Sequence, residues 1–314
     1  MRSFKIAFAL FMAFSASAIV FAVARPRAAN ALARHYLYSR SRRFFRHAPS
    51  GGTSNLPAVI FWAWERPEDL RFLTPDQAGV AFLAKTIYLR PPPTNPAGSS
   101  PSFIVRPRLQ PLRIAGGTPL IAVIRVETPA RPRLSSLQQN QRALPAFTYS
   151  SAQRALLASE IASTQFISSV SAIQIDFDAP SSAQPFYAAL LQDVRGKLPP
   201  SIPLSITALA SWCIGDPWLS QLPAGTIDEA VPMLFRMGPD AGNVLKFLHS
   251  GDDFPVAPCR SSLGLSTDET FSHDLLTASS AFRTLHPREK RVYLFAPRAW
   301  TPSAAETILQ ELQP

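Results

Sequence analysis

The alternating stretch Ala172-Ile173-Gln174-Ile175-Asp176-Phe177-Asp178-Ala179 carries two carboxylates two residues apart. On an extended chain Gln174, Asp176 and Asp178 share one face, with the acids roughly 6.5–7 Å apart along the backbone, and Ile173, Ile175 and Phe177 share the other. An unpaired buried charge costs several kcal/mol, so the acidic face suits a cleft or the mouth of a barrel. One of two neighbouring carboxyls has its pKa raised by the other. A carboxylic acid that keeps its proton beside a second carboxylate is the equipment for cleaving a glycosidic bond. Asp178 is therefore the expected general acid and Asp176 its tuning partner. Glu127 or Glu65, or a group of the substrate itself, is expected to stabilise the oxocarbenium-like centre.

Strands that present such residues alternate with helices along the chain. Apolar segments at 58–64, 86–90, 119–127, 172–178, 203–211, 228–236, 260–266 and 291–296 read as strands. Helical patterns fall at 77–85, 150–170, 182–197, 216–222, 240–249, 271–285 and 303–312. Segment 103–114 alternates but contains Pro107 and Pro111, so it is expected as an edge hairpin or flap inserted after the second strand. Eight strands alternating with helices over residues 57–314 predict an α/β fold, a (β/α)8 TIM barrel. No glycine-rich dinucleotide fingerprint opens a helix, and neither a cofactor nor a metal is expected.

A barrel gathers its chemistry at the carboxyl ends of its strands. Those ends nominate Trp64, Glu65, Arg90, Arg125, Trp212, Arg236, Asp268 and Trp300 as substrate-binding residues beside the catalytic candidates. Aromatic faces stack on pyranose rings, and arginines and carboxylates bind hydroxyls, so the expected ligand is a carbohydrate. Each feature also has a structural reading. Arg125 and Glu127 make an ordinary inward ion pair, the tryptophans fill a core, and Asp268-Glu269 caps the helix near Phe271. Trp64 and Trp300, at strand ends, are the better candidates for sugar platforms.

The chain carries 31 Lys+Arg against 21 Asp+Glu, a net charge of +10. Nine of those basic side chains, and no acidic one, lie in residues 1–48, which leaves 22 against 21 in the remainder. A nearly neutral barrel lacks the basic face that nucleic acid requires. Ile6 to Ala24 is an uncharged apolar run preceded by Arg2 and Lys5, so residues 1–24 read either as a signal peptide or as a membrane anchor. Residues 25–56 follow as a basic juxtamembrane segment and linker, with seven arginines between Arg25 and Arg46. The expected location is the cell envelope, exported or anchored, with the periplasmic or extracellular side favoured. Cys213 and Cys259, placed by this layout at opposite ends of the barrel, are expected to be free buried thiols.

Four stretches carry a resemblance. Phe61-Trp62-Ala63-Trp64-Glu65-Arg66, Ile173 to Asp178, Ser205 to Trp212 and Val231 to Gly238 resemble a bacterial family of glycosidase-like barrels known only as a domain of unknown function. More distantly, the fourth strand resembles that of chitinase-type glycosidases, whose Asp-x-Asp-x-Glu ends in the proton donor. This resemblance implies that Asp178 stands for the acid, shorter by one methylene, and Asp176 for its partner. Gln174 departs from the pattern. The sixth strand, Met233-Leu234-Phe235-Arg236, departs from that family's Met-x-Tyr-Asp in both its Tyr and its Asp, the groups that there hold a reacting acetamido group. Two function classes therefore stay open: a glycoside hydrolase acting on an envelope or extracellular polysaccharide, and a non-catalytic glycan-binding or scaffold barrel.

Overall fold

The computed structural model describes residues 53–90, 103–128, 150–277 and 289–312. The expected leader at 1–24 and nearly all of the basic segment and linker at 25–56 lie outside the described residues. Among those that are described, no helix is long and apolar enough to cross a membrane.

Eight parallel strands close into a ring: β1 (Val59–Ala63), β3 (Gly79–Leu89), β6 (Leu120–Glu127), β7 (Val170–Asp176), β8 (Leu204–Leu209), β9 (Glu229–Met233), β10 (Ser262–Ser266) and β11 (Arg291–Phe295). Each strand pairs with its neighbour in sequence order, and β1 pairs with both β11 and β3, which closes the barrel. Outside it lie helices α1 (Ser151–Ala162), α2 (Gln184–Arg195), α3 (Ala210–Ile214), α4 (Pro217–Ser220), α5 (Ala241–Ser250), α6 (Thr270–Thr277) and α7 (Pro302–Glu311).

The first two crossovers differ from the rest. The helix expected at 77–85 is absent, because 79–89 is one long strand hydrogen-bonded to β1 on one side and β6 on the other. An apolar run buried on both faces has no period to distinguish strand from helix, and ring closure decides it. The apparent helix start at Thr74-Pro75-Asp76 is a turn closed by Gln77 and Ala78 N–H to Thr74 O. Among the described residues of these crossovers there is no helix; β4 (Phe103–Pro107) runs antiparallel to β3, and β2 (Glu68–Leu70) pairs in parallel with β5 (Leu112–Ile114). Arg108 ties this region to the end of β1 by donating to the carbonyls of Ala63, Trp64 and Arg66.

Strand alternation separates two cores. Ile173, Ile175 and Phe177 face outward into a core shared with the helices, while Ile60, Trp62, Ala81, Ile121, Val123, Ala172, Val231 and Tyr293 fill the interior of the ring. Gly264 makes room there, since a Cβ would lie 3.1 Å from the Trp62 ring and 3.3 Å from Pro232 O.

The interior also contains a directional polar chain. Arg291 Nη1 donates to Glu229 Oε1 (2.6 Å), and Tyr293 and Ser205 hydroxyls donate to Glu229 Oε2 (2.6 and 3.1 Å). Gln174 Nε2 then donates to Ser205 Oγ (3.1 Å), and Trp62 Nε1 donates to Gln174 Oε1 (2.8 Å). Glu229 is 0 % and Arg291 3 % exposed, so this ion pair is wholly within the barrel. Ser205 has one proton and gives it to Glu229. Its neighbour must therefore be a donor, which an amide is and a carboxylate is not. That explains Gln174 where the glycosidase pattern has an acid.

Cys213 and Cys259 form a disulfide, contrary to the expectation of free thiols (Cα–Cα 5.8 Å). Strand β8 ends at Leu209, and α3 begins at once, placing Cys213 in the outer core rather than at a strand end. Cys259 ends a short turn packed against β9 in the same core.

Two outcomes follow for stability. Gln174→Glu, nearly isosteric, puts a second carboxylate beside Glu229 without a donor for it, and should cost about 3 kcal/mol or more at neutral pH in denaturant titrations; a variant as stable as the parent would contradict the hydrogen-bond directions. Replacing both Cys213 and Cys259 by Ala opens a bridge across a separation of 46 residues and should cost roughly 2–4 kcal/mol, whereas an unchanged midpoint would show that the bridge does not restrain the fold.

Candidate functional site

The Arg125–Asp176 register of β6 and β7 sets the site at the carboxyl end of the ring. A cavity of about 290 Å³ opens there. Trp62, Trp64, Phe235 and Phe295 form an aromatic wall, with Phe235 and Phe295 stacked at 5.6 Å and Trp64 edge-on to Phe295 at 6.4 Å. Asp176, Asp178, Arg125, Arg236 and Asp240 supply its charge, and Thr207, Met233 and Met237 also line it.

Asp176 is the inner acid, its side chain 13 % exposed. Thr207 Oγ1 donates to its Oδ1 at 2.7 Å, and Arg125 Nε stands 4.0 Å from Oδ2. Burial pushes its pKa up from 3.8 to about 6, with Asp178 adding to the rise and Thr207 and Arg125 opposing it. Asp178, two residues on, is exposed at the rim. Partial desolvation raises its carboxyl too, against the pull of Arg125. Behind the pair, the buried Tyr187 packs on Phe177 at 5.0 Å. Its phenol is driven well above the usual range, first by burial and then by the two acids.

Both arginines of the cavity are already engaged. Arg125 Nε pairs with Glu127 Oε1 at 2.9 Å and places its guanidinium over Trp64, 5.8 Å from the ring centre. Arg236 has φ 53°, the left-handed region that disfavours a side chain. Glu269 Oε1 accepts from both its backbone N (2.9 Å) and its Nη1 (2.7 Å), and Asp268 accepts from Nη2 (2.7 Å). The Arg236 contact and Ser266 hold the Asp268 carboxyl below its ordinary value, the hydroxyl being the larger influence. Asp268 and Glu269 thus fix an arginine in place, where the sequence suggested a helix cap.

Of the residues nominated from the sequence, the structure brings Asp176, Asp178, Trp64, Arg125 and Arg236 to the cavity. Glu127 and Asp268 adjoin it through their arginines. Glu65 pairs with Arg106 at 2.8 Å, outside the lining, and the exposed Arg90 does not line it either. Trp212 and Trp300 are corrected from sugar platforms to core residues. Because β8 ends at Leu209, Trp212 lies in α3 (3 % exposed), edge-on to Trp218 at 5.0 Å. Trp300 (5 % exposed) packs edge-on against Phe61 at 4.7 Å and donates from Nε1 to Trp62 O. Sequence reasoning missed Thr207, Phe295 and Asp240. Strand parity would have turned Thr207 and Phe295 inward; Asp240 gives only the signal of a helix start. Among the described residues no cluster of His, Cys, Asp and Glu is arranged to hold a metal ion.

Residues 116–235 match the model of a family described as a domain of unknown function (DUF3142). The resemblance to such a family holds over that stretch, which contains β6 to β9. No curated protein matches the chain. Among solved structures, the chain is similar to a Family GH18 chitinase from Chromobacterium violaceum, with 9% identity, a TM-score of 0.46, and coverage of 86% of this chain and 88% of that one. It is also similar to an endo-beta-N-acetylglucosaminidase from Cordyceps militaris, with 8% identity, a TM-score of 0.43, and coverage of 88% and 96%.

The raised carboxyl of Asp176 gives a signed outcome. Below about pH 4 Asp176 holds its proton in folded and unfolded chains alike. As pH rises towards 6 the unfolded chain ionises first, so the folded state loses stability, and above 6 the loss is constant. Asp176→Asn, which still accepts from Thr207, should match the parent near pH 4 and exceed it by up to about 3 kcal/mol above pH 6. Parallel stability curves for the two proteins would contradict a raised Asp176.

Proposed function

We propose that this barrel binds a glycan in the cavity and cleaves a glycosidic bond, with Asp178 as general acid. One observation carries the reading: Asp178 lies exposed at the end of β7, in an aromatic-walled cavity, directly above a carboxyl that burial holds near pH 6. An acid at that position reaches a bound sugar while the desolvation it meets favours its protonated form. Asp176, fixed by Thr207 beneath the reacting centre, keeps its proton when Asp178 is ionised, its own carboxyl raised by burial and by the charge of Asp178. Trp64 and the stacked phenylalanines offer apolar faces to the sugar ring. Glu127 and Glu65, engaged by Arg125 and Arg106, act at most as supports for those arginines.

The rival reading, a non-catalytic glycan-binding barrel, draws on the engaged state of Asp176, Arg125 and Glu127. Asp178 stands outside that network: it makes no hydrogen bond or ion pair among the described residues, which favours the enzyme. We place the protein in the cell envelope, on the strength of the apolar run at 6–24. The Cys213–Cys259 bridge supports an oxidising compartment.

Release of reducing ends from a panel of polysaccharides by the full chain tests the reading. Asp178→Asn should lower turnover of any active glycan by roughly 10²–10⁴ with a melting temperature no lower than that of the parent. Full activity in that variant would remove Asp178 from the mechanism. Glycan binding by the parent without any release of reducing ends would transfer the conclusion to the binding module.

A further inference from the structure

The charges around the cavity are not balanced. Six carboxylates (Glu127, Asp176, Asp178, Asp240, Asp268 and Glu269) stand in or beside it, against the guanidiniums of Arg125 and Arg236. Residues 49–314 as a whole carry 22 basic and 21 acidic side chains, so the acidity belongs to this mouth and not to the barrel in general. The charge of the arginines is largely met within the protein: Arg125 pairs with Glu127 and stands 4.0 Å from Asp176, and Arg236 is shared between Asp268 and Glu269.

What remains for a ligand is negative. Asp178 and Asp240 both line the cavity, and neither makes a side-chain hydrogen bond or ion pair among the described residues. They lie on separate elements, at the end of β7 and the start of α5. Asp240 is exposed and makes no capping bond to its own helix. The cavity they share also has the aromatic wall of Trp62, Trp64, Phe235 and Phe295, whose ring faces attract cations as well as stacking on sugar rings. A uronic acid or sulfated sugar would be repelled here. A neutral sugar could donate hydroxyl hydrogen bonds to either acid but would bring no opposite charge to it.

We propose that the glycan bound in this cavity carries free, protonated amines: it is a polymer of unacetylated amino sugars, with an ammonium group held by Asp240 while the ring lies against the aromatic wall. This rests on the glycan reading above and adds the substrate class. Asp178, nearer the buried acid, is left for proton donation. A charge-assisted N⁺–H···O⁻ bond is about twice as strong as a neutral one, and its contribution at an exposed rim is screened by salt.

Calorimetric titration of the full chain with oligomers of glucosamine, of N-acetylglucosamine and of glucose tests the proposal. The glucosamine oligomer should bind roughly tenfold or more tightly than either other, and the margin should shrink between 50 mM and 500 mM salt. Asp240→Asn, checked for an unchanged melting temperature, should reduce the preference to within about twofold. Equal or tighter binding of the acetylated or neutral oligomer overturns the proposal and leaves the glycan reading in place, as does a preference that survives Asp240→Asn. Binding of none of the three overturns the proposal, and the glycan reading then stands or falls on the polysaccharide panel. A glucosamine preference with no hydrolysis would uphold the proposal and reject only the catalytic role of Asp178.

Discussion

The Glu229–Arg291 pair at the centre of the ring is the constraint on which the rest depends. A carboxylate and a guanidinium without access to water are stable only when every lone pair and proton between them is matched. Arg291 meets this by also donating to the carbonyls of Thr53 and Pro57, below the ring. Glu229 meets it by accepting from Tyr293 and Ser205. Ser205 has then spent its proton, which requires a donor at 174, and Gln174 in turn fixes the indole of Trp62. One buried pair thus orients, bond by bond, an aromatic residue that lines the cavity.

Above that chain the character of the barrel changes from fully matched to partly matched. Asp176 has a hydroxyl donor at 2.7 Å and an arginine only at 4.0 Å, so burial outweighs its partners and its pKa rises. Asp178, one step nearer solvent, has the field of Arg125 but no contact. The gradient follows strand alternation: the same inward face of β7 passes from a neutral amide through a half-satisfied acid to an exposed one. Across the mouth, Arg236 occupies a left-handed backbone conformation that its two acids stabilise. Strain of this kind persists only where surrounding bonds over-determine it.

Much of this was legible in the sequence, and the failures have physical causes. Alternation over Ile173–Asp178, and at Arg125 and Glu127 near the end of Leu120–Glu127, showed which side chains face inward, because there one face is apolar and the other is not. Residues 79–89 were opaque for the converse reason: a strand buried on both faces loses the period that identifies it. Trp212 and Cys213 were misplaced together. The apolar run of β8 continues past Leu209, and nothing local marks the turn into α3. The meaning of Gln174 lies in the proton count of Ser205, a partner 31 residues away that no local pattern reveals. Asp240 shows the same limit, since an acid at a helix start looks like a cap whether or not it makes the bond.

The two acids of β7 are held protonated by their surroundings to different degrees. Carbon-13 NMR titration of the aspartate carboxyls in the full chain measures this directly. It should give a midpoint near pH 6 for Asp176 and one above the ordinary aspartate value for Asp178, with the Asp176 midpoint falling when Asp178 is replaced by Asn. Two independent midpoints at the ordinary value of an exposed aspartate would contradict it.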